Sequence, residues 1–284
     1  MRLVANEDNV RLVFLIGFII SRAAAFAAMT WAFMEIGLRR THQWAAALFC
    51  AAGSPFLMNS SVVGGHGLFI DQFTHSELTW GPLLASIVAF ERRRLVMAAA
   101  LAATVFLVNA FIGVWLVLGL CAVVLLDRQS IRNWRALVRP VVVYTALCMP
   151  VVVWISWSID DTARDAQSFS YLEYVRIYYP DHFLAESVTL RQWLSLSLFT
   201  ISGLIAALAI PGATTMSRVL LALCVVLLVG AGLPYVMDQR FVFNLHLLRV
   251  AGVVQFLSVI LVIGCATAVV FADSGRVAPR MTAF

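Results

Sequence analysis

A chain of 284 residues that is 62% hydrophobic and 12% charged, with a mean hydropathy of +0.92, is excluded from the ordinary soluble class, where about a quarter of residues are charged. Its formal net charge is +5, but all 20 basic residues are Arg, so the balance reflects a compositional bias and carries no nucleic-acid inference. Five cysteines, Cys50, Cys121, Cys148, Cys224 and Cys265, each lie inside an apolar run; their spacing gives neither a disulfide framework nor a thiolate metal site.

The apolar runs are long enough to cross a hydrocarbon core of roughly 30 Å as helices of about 20 residues, and none alternates with the period of a membrane barrel strand. The fold class is therefore all-α: a polytopic integral membrane helical bundle, read as a single membrane domain over 1–284. The N-terminal MRLVANEDNVRLVFLIGF has no small-residue cleavage site and reads as a retained helix. Spans follow near 12–38, 44–62, 78–90, 95–126, 140–158, 192–210, 217–236 and 249–272. The run 95–126, at 32 residues, is too long for one ordinary span and carries Asn109 in its middle. Arginines mark the cytoplasmic ends: Arg39 and Arg40, Arg92 to Arg94, Arg128, Arg132, Arg135 and Arg139, Arg218, and Arg276 and Arg280. Both ends of 95–126 then face one side, which predicts two short helices meeting near Asn109 and a total of eight to nine membrane segments. Such a bend is allowed only where protein or a watery cavity covers it. The N-terminus falls outside in this scheme, and a chain lacking one upstream span would read the same way.

The opposite face receives GGHGLFIDQFTHSE at 64–77, a long extracytoplasmic loop over 159–191, and DQRFVFNLHLLR at 238–249. Four of the five histidines, His66, His75, His182 and His246, lie there with most of the carboxylates. In the first stretch Asp71, His75 and Glu77 could hold a metal or do acid–base work, or be solvated groups on a glycine-rich turn. In VRIYYPDHFL the tyrosines suit a membrane interface, whereas Asp181 beside His182 offers an acid–base pair or a cation site, or simply part of a loop capping the next span. Arg249, one turn after Asn244 and His246, is placed to bind phosphate oxygens or to reach lipid headgroups. Arg22 and Glu35 lie about 20 Å apart along one helix, so each needs a partner elsewhere. Nucleotide-binding, serine-hydrolase, zinc-protease and CxxC signatures are missing.

The order of these features, a glycine loop before a short helix (GGHGLFIDQFTHSELTWGPLLASIVAF), a cytoplasmic Arg cluster, a helix pair bent at Asn109-Ala110, an outer loop with Pro180-Asp181-His182 and a last outer Arg in HLLRV, resembles bacterial multi-pass proteins related to the C-type membrane glycosyltransferases. That resemblance implies sugar transfer from a polyprenyl-phosphate donor on the extracytoplasmic face of the inner membrane, in envelope or exopolysaccharide synthesis, often with a divalent metal such as Mg or Mn. It implies that Arg249, with Arg240 and His246, holds the donor phosphate, and that Asp181 or His182, with Asp71 and Glu77, serves the reacting sugar. The partners implied are the bilayer and a polyprenyl-phosphate-linked sugar. Where that family carries an acid after its first span, this chain has only Glu7 and Asp8 ahead of its first span, and Asn109-Ala110 stands where a His-Pro is expected. Two other classes fit the same composition: a transporter or lipid-handling protein with Arg22, Glu35 and the broken helices lining a path, and a non-catalytic membrane subunit.

Overall fold

A computed structural model describes residues 10–57, 63–64, 73–127, 132–159 and 170–271. All regular structure among the described residues is helical. The helices are α1 (Val10–Glu35), α2 (Arg40–Leu57), α3 (Trp80–Glu91), α4 (Leu95–Val108), α5 (Ala110–Leu126), α6 (Arg135–Ile159), α7 (Tyr171–Tyr178), α8 (Pro180–Phe183), α9 (Leu190–Ala209), α10 (Thr214–Val236), α11 (Arg240–Asn244) and α12 (Val250–Val270). Short 3-10 turns at His75–Thr79 and Leu247–Arg249 lead into α3 and α12.

Five segments among the described residues are long and apolar enough to cross a membrane: Arg11–Glu35, Arg135–Trp157, Leu190–Ala209, Thr214–Val236 and Arg240–Val270. The sequence predicts eight to nine membrane segments including a broken helix pair; five full-length ones stand among the described residues, and further apolar helices there are shorter. The expected span 78–90 is the 12-residue α3, and 95–126 divides into α4 and α5 of 14 and 17 residues. Hydropathy registers that a run avoids water; it does not register where the helix stops.

The division at Asn109 has a local cause. Its backbone is extended (φ −146°, ψ 102°), and its Oδ1 accepts from the backbone N–H groups of Phe111 and Ile112, which a helix start otherwise leaves unpaired. The chain reverses there into a helical hairpin. Gly113 permits the closure: a Cβ at that position would lie 2.5 Å from Cα of Phe106 on the facing helix. At the hairpin's feet Arg93 Nη2 donates to Asp127 Oδ2 at 3.0 Å, so both feet do lie on one side. Replacing Asn109 by Ala is expected to cost about 1–2 kcal/mol of stability through the lost cap, measured by thermal unfolding in nanodiscs.

Most of α12 is buried, including Val253, Phe256, Leu257, Ile260 and Leu261, and α9, α10 and α2 pack around it. By contrast α6 packs on α4 and leaves Val141, Val142, Trp154 and Trp157 exposed, the last at 78%. Exposed apolar faces of this kind are what lipid contact requires of a helical membrane protein.

Ion pairs fix the depth of the short helices. Glu35 at the end of α1 accepts from Arg92 Nε after α3, and Glu91 Oε2 accepts from the backbone N–H of Thr215 at 2.6 Å, so these ends form one arginine-rich level. Three rulers rise from it. Arg22 lies about 20 Å above Glu35 along α1, the 14 residues of α4 carry the chain up about 21 Å to Asn109, and Arg249 stands about 22 Å above Gly264, which packs against Ile36 and Phe33. All three rises are similar, and the Arg22–Glu77 and Asn109–Ser76 contacts bring their ends to one level. Because α3 and the α4–α5 hairpin stop there while the longer helices continue, a recess is left on the loop-bearing side.

Candidate functional site

The recess is a cavity of about 400 Å³ walled by the hairpin apex, the His75–Thr79 turn and the start of α12. Glu77, Asn109, His246, Arg249 and Trp80 all line it. Glu77 is 4% exposed, and its Oε2 accepts from Arg22 Nη1 at 2.7 Å. So Arg22 and Glu35, which could not reach each other, find Glu77 and Arg92. On the opposite wall Asn109 Nδ2 donates to Ser76 Oγ at 2.9 Å and lies 3.4 Å from His75 Nε2, which locks the apex to the turn. Trp115 Nε1 donates to the Leu245 carbonyl at 3.1 Å and ties α5 to the chain entering α12.

Three nitrogen groups on residues lining this recess have no partner among the described residues. The partly buried Arg249 guanidinium makes no hydrogen bond or ion pair among the described residues. Trp80, 7% exposed, buries an indole Nε1–H without an acceptor, and Nδ1 of His246 is likewise buried and unpaired. Buried polar groups are nearly always satisfied, so these groups, on residues that share one cavity, are the polar features there that call for a partner. The helix ends point the same way. The N-termini of α3 at Trp80, α5 at Ala110 and α12 at Val250 all face the cavity, each with the positive end of its macrodipole. The C-terminus of α4 brings the opposing end, and Arg22 already neutralises Glu77, so the balance favours an anion.

Gly64 supplies part of the wall in a way no other residue does easily. It sits at φ +76°, and a Cβ there would meet the Leu248 carbonyl oxygen at 2.5 Å and Arg249 Cα at 2.7 Å. Gly64→Ala is expected to push the Arg249 backbone out of place and weaken anion binding roughly tenfold, read by titration with an anionic lipid.

A second cavity of about 650 Å³ lies among α7, α8 and α11. His182, Arg240 and His246 line it, together with tyrosine and phenylalanine rings. The described part of the expected 159–191 loop is therefore folded, with residues 170–189 forming α7, α8 and a 3-10 turn over a small core of Val175, Leu184 and Phe243. Asp238 anchors it by accepting from Leu172 N and Ser170 Oγ, both at 2.8 Å. Arg176 and Glu186 also pair at 2.8 Å, but both are about half exposed and contribute little.

The residues singled out in the sequence thus separate. Glu77 and Arg249 share the recess; His182 and Arg240 line the second cavity; His246 belongs to both. Asp181 is exposed on α8, directly after Pro180 at the helix start, and lines neither cavity. Asp71 lies outside the described residues. Trp80 and Asn109 are the lining residues that sequence reasoning missed as site groups. Asn109 was visible as a break, while a Trp at the head of an apolar helix reads as core. Among the described residues no group of three or more His, Cys, Asp or Glu side chains is placed to hold a metal ion, so the Mg or Mn implied by the resemblance finds no ligand set there. Searches against family models, curated proteins and solved structures return no match to this chain, so its chemistry is read from the two cavities themselves.

Proposed function

We propose that the protein is a membrane glycosyltransferase-like protein that holds the phosphate of a polyprenyl-linked sugar donor in the recess and transfers the sugar on the extracytoplasmic face of a bacterial inner membrane, in envelope or exopolysaccharide synthesis. One observation carries the reading: Arg249, which has no partner among the described residues, lines a single cavity together with Trp80 and His246, where three helix N-termini meet. An anion site among apolar helices favours a ligand that brings its own apolar tail, because a free anion entering there loses its hydration.

The chemistry follows from charge. When an acceptor hydroxyl attacks the anomeric carbon, the bond from that carbon to the phosphate oxygen breaks, and the leaving phosphate keeps the electron pair. Arg249 and the helix N-termini stabilise that growing charge, which is the larger part of what such a reaction asks of a protein. The acceptor proton passes to a base on the loop-bearing side, for which Asp181 and His182 are the proposed groups; His182 already lines the adjoining cavity. The test is equilibrium binding in nanodiscs with farnesyl phosphate and farnesol as probes. Clear preference for the phosphate is expected, and equal binding of the two overturns the reading.

A further inference from the structure

We propose that the 650 Å³ cavity among α7, α8 and α11 is a saccharide-binding cleft; its assignment as the acceptor site rests on the transfer reading above. Its volume falls within the usual range for small-molecule sites, and its walls suit one chemistry. Tyr171 and Phe243 stack at 6.3 Å with 25° between their planes, Phe183 meets Phe243 edge-on at 6.0 Å, and Tyr174 and Tyr179 remain 40% and 52% exposed. Among these rings stand Arg240, His182 and Asn244. A pyranose ring has the matching character, with an apolar face of C–H groups for the aromatic planes and a rim of hydroxyls for guanidinium, imidazole and amide.

Position supports the same ligand. His246 stands between the two cavities in a left-handed backbone conformation (φ 48°, ψ 39°), with its ring 4.6 Å from Phe111 on the recess side and 4.6 Å from Phe183 on the other. A saccharide in the cleft therefore lies one imidazole away from whatever Arg249 holds. The cleft is also held in place: Asp238 fixes the start of α7, and Tyr235 Oη accepts from the Glu186 backbone N–H at 3.3 Å.

The experiment is saturation-transfer NMR on the protein in nanodiscs, with maltose, cellobiose, mannobiose and diacetylchitobiose as probes and no donor lipid present. Transfer from aromatic protons to at least one disaccharide is expected. Tyr174→Ala with Tyr179→Ala is expected to weaken that binding roughly tenfold, and exposed Arg240→Ala to weaken it independently. Arg249→Ala is expected to leave disaccharide binding unchanged while farnesyl phosphate affinity falls about a hundredfold, so the cleft and the donor site fail separately. No transfer to any probe overturns the proposal, as does transfer untouched by all of the cleft variants.

Discussion

Arg249→Ala is expected to lower the affinity for farnesyl phosphate by about a hundredfold while leaving farnesol binding unchanged. The size follows from what the guanidinium lacks. Arg249 is partly buried at the head of α12 with no acidic partner among the described residues, so a bound phosphate would supply a counter-charge those residues do not. Hydrogen bonds to charged groups contribute roughly 1.5–3 kcal/mol each, and a planar fork can make two. Arg249→Lys is expected to recover only part of the loss, because an ammonium keeps the charge and loses the paired geometry. Inorganic phosphate at equal concentration is expected not to compete, because the proposed ligand brings an apolar tail that a free anion lacks. Competition by inorganic phosphate as strong as by the lipid would move the ligand from the membrane to free solution.

Glu77→Ala is the second large effect, and it concerns stability. Glu77 is 4% exposed and accepts from Arg22 at 2.7 Å, with Arg22 itself 24% exposed in the middle of α1. Removing one partner breaks a pair whose acid is almost fully buried, a change that costs up to about 3–5 kcal/mol. Thermal unfolding in nanodiscs is expected to show that loss for Glu77→Ala, and the double variant Arg22→Leu, Glu77→Leu to recover most of it, because a well-packed apolar pair removes both charges together. If Glu77 instead works as a freely titrating acid, the single variant unfolds near the parent temperature and only activity suffers. The pair also positions the recess, since it ties the His75–Thr79 turn to α1 at the depth of Asn109.

Where a membrane helix runs is largely a matter of local composition, and here the local signals were sound. A polar Asn109 with a glycine four residues on, inside an apolar run too long for one span, was enough to place the break, because an Asn side chain satisfies the N–H groups that a new helix start exposes. Arginine clusters placed both hairpin feet on one side, as the Arg93–Asp127 pair does in the structure. A charge in an apolar helix signals that it needs a partner but not which one, and the identities of Glu77 for Arg22 and of Arg92 for Glu35 had to wait for the packing of α1 against α3.

What the sequence alone determined is the solvent: an all-helical protein whose runs belong in lipid, with arginines at one end and histidines and carboxylates at the other. It also placed Arg249 and His246 together at the head of the last span. Convergence of the helix ends was decided only by the tertiary structure. A short α3 and the break at Asn109 were legible in the sequence, but that their ends meet the head of α12 and leave a recess was not. The grouping of Trp80, Asn109 and Arg249 joins residues far apart in the chain through close helix packing. The physical reason is that apolarity is a property of each residue, whereas a cavity is a property of where neighbouring helices stop.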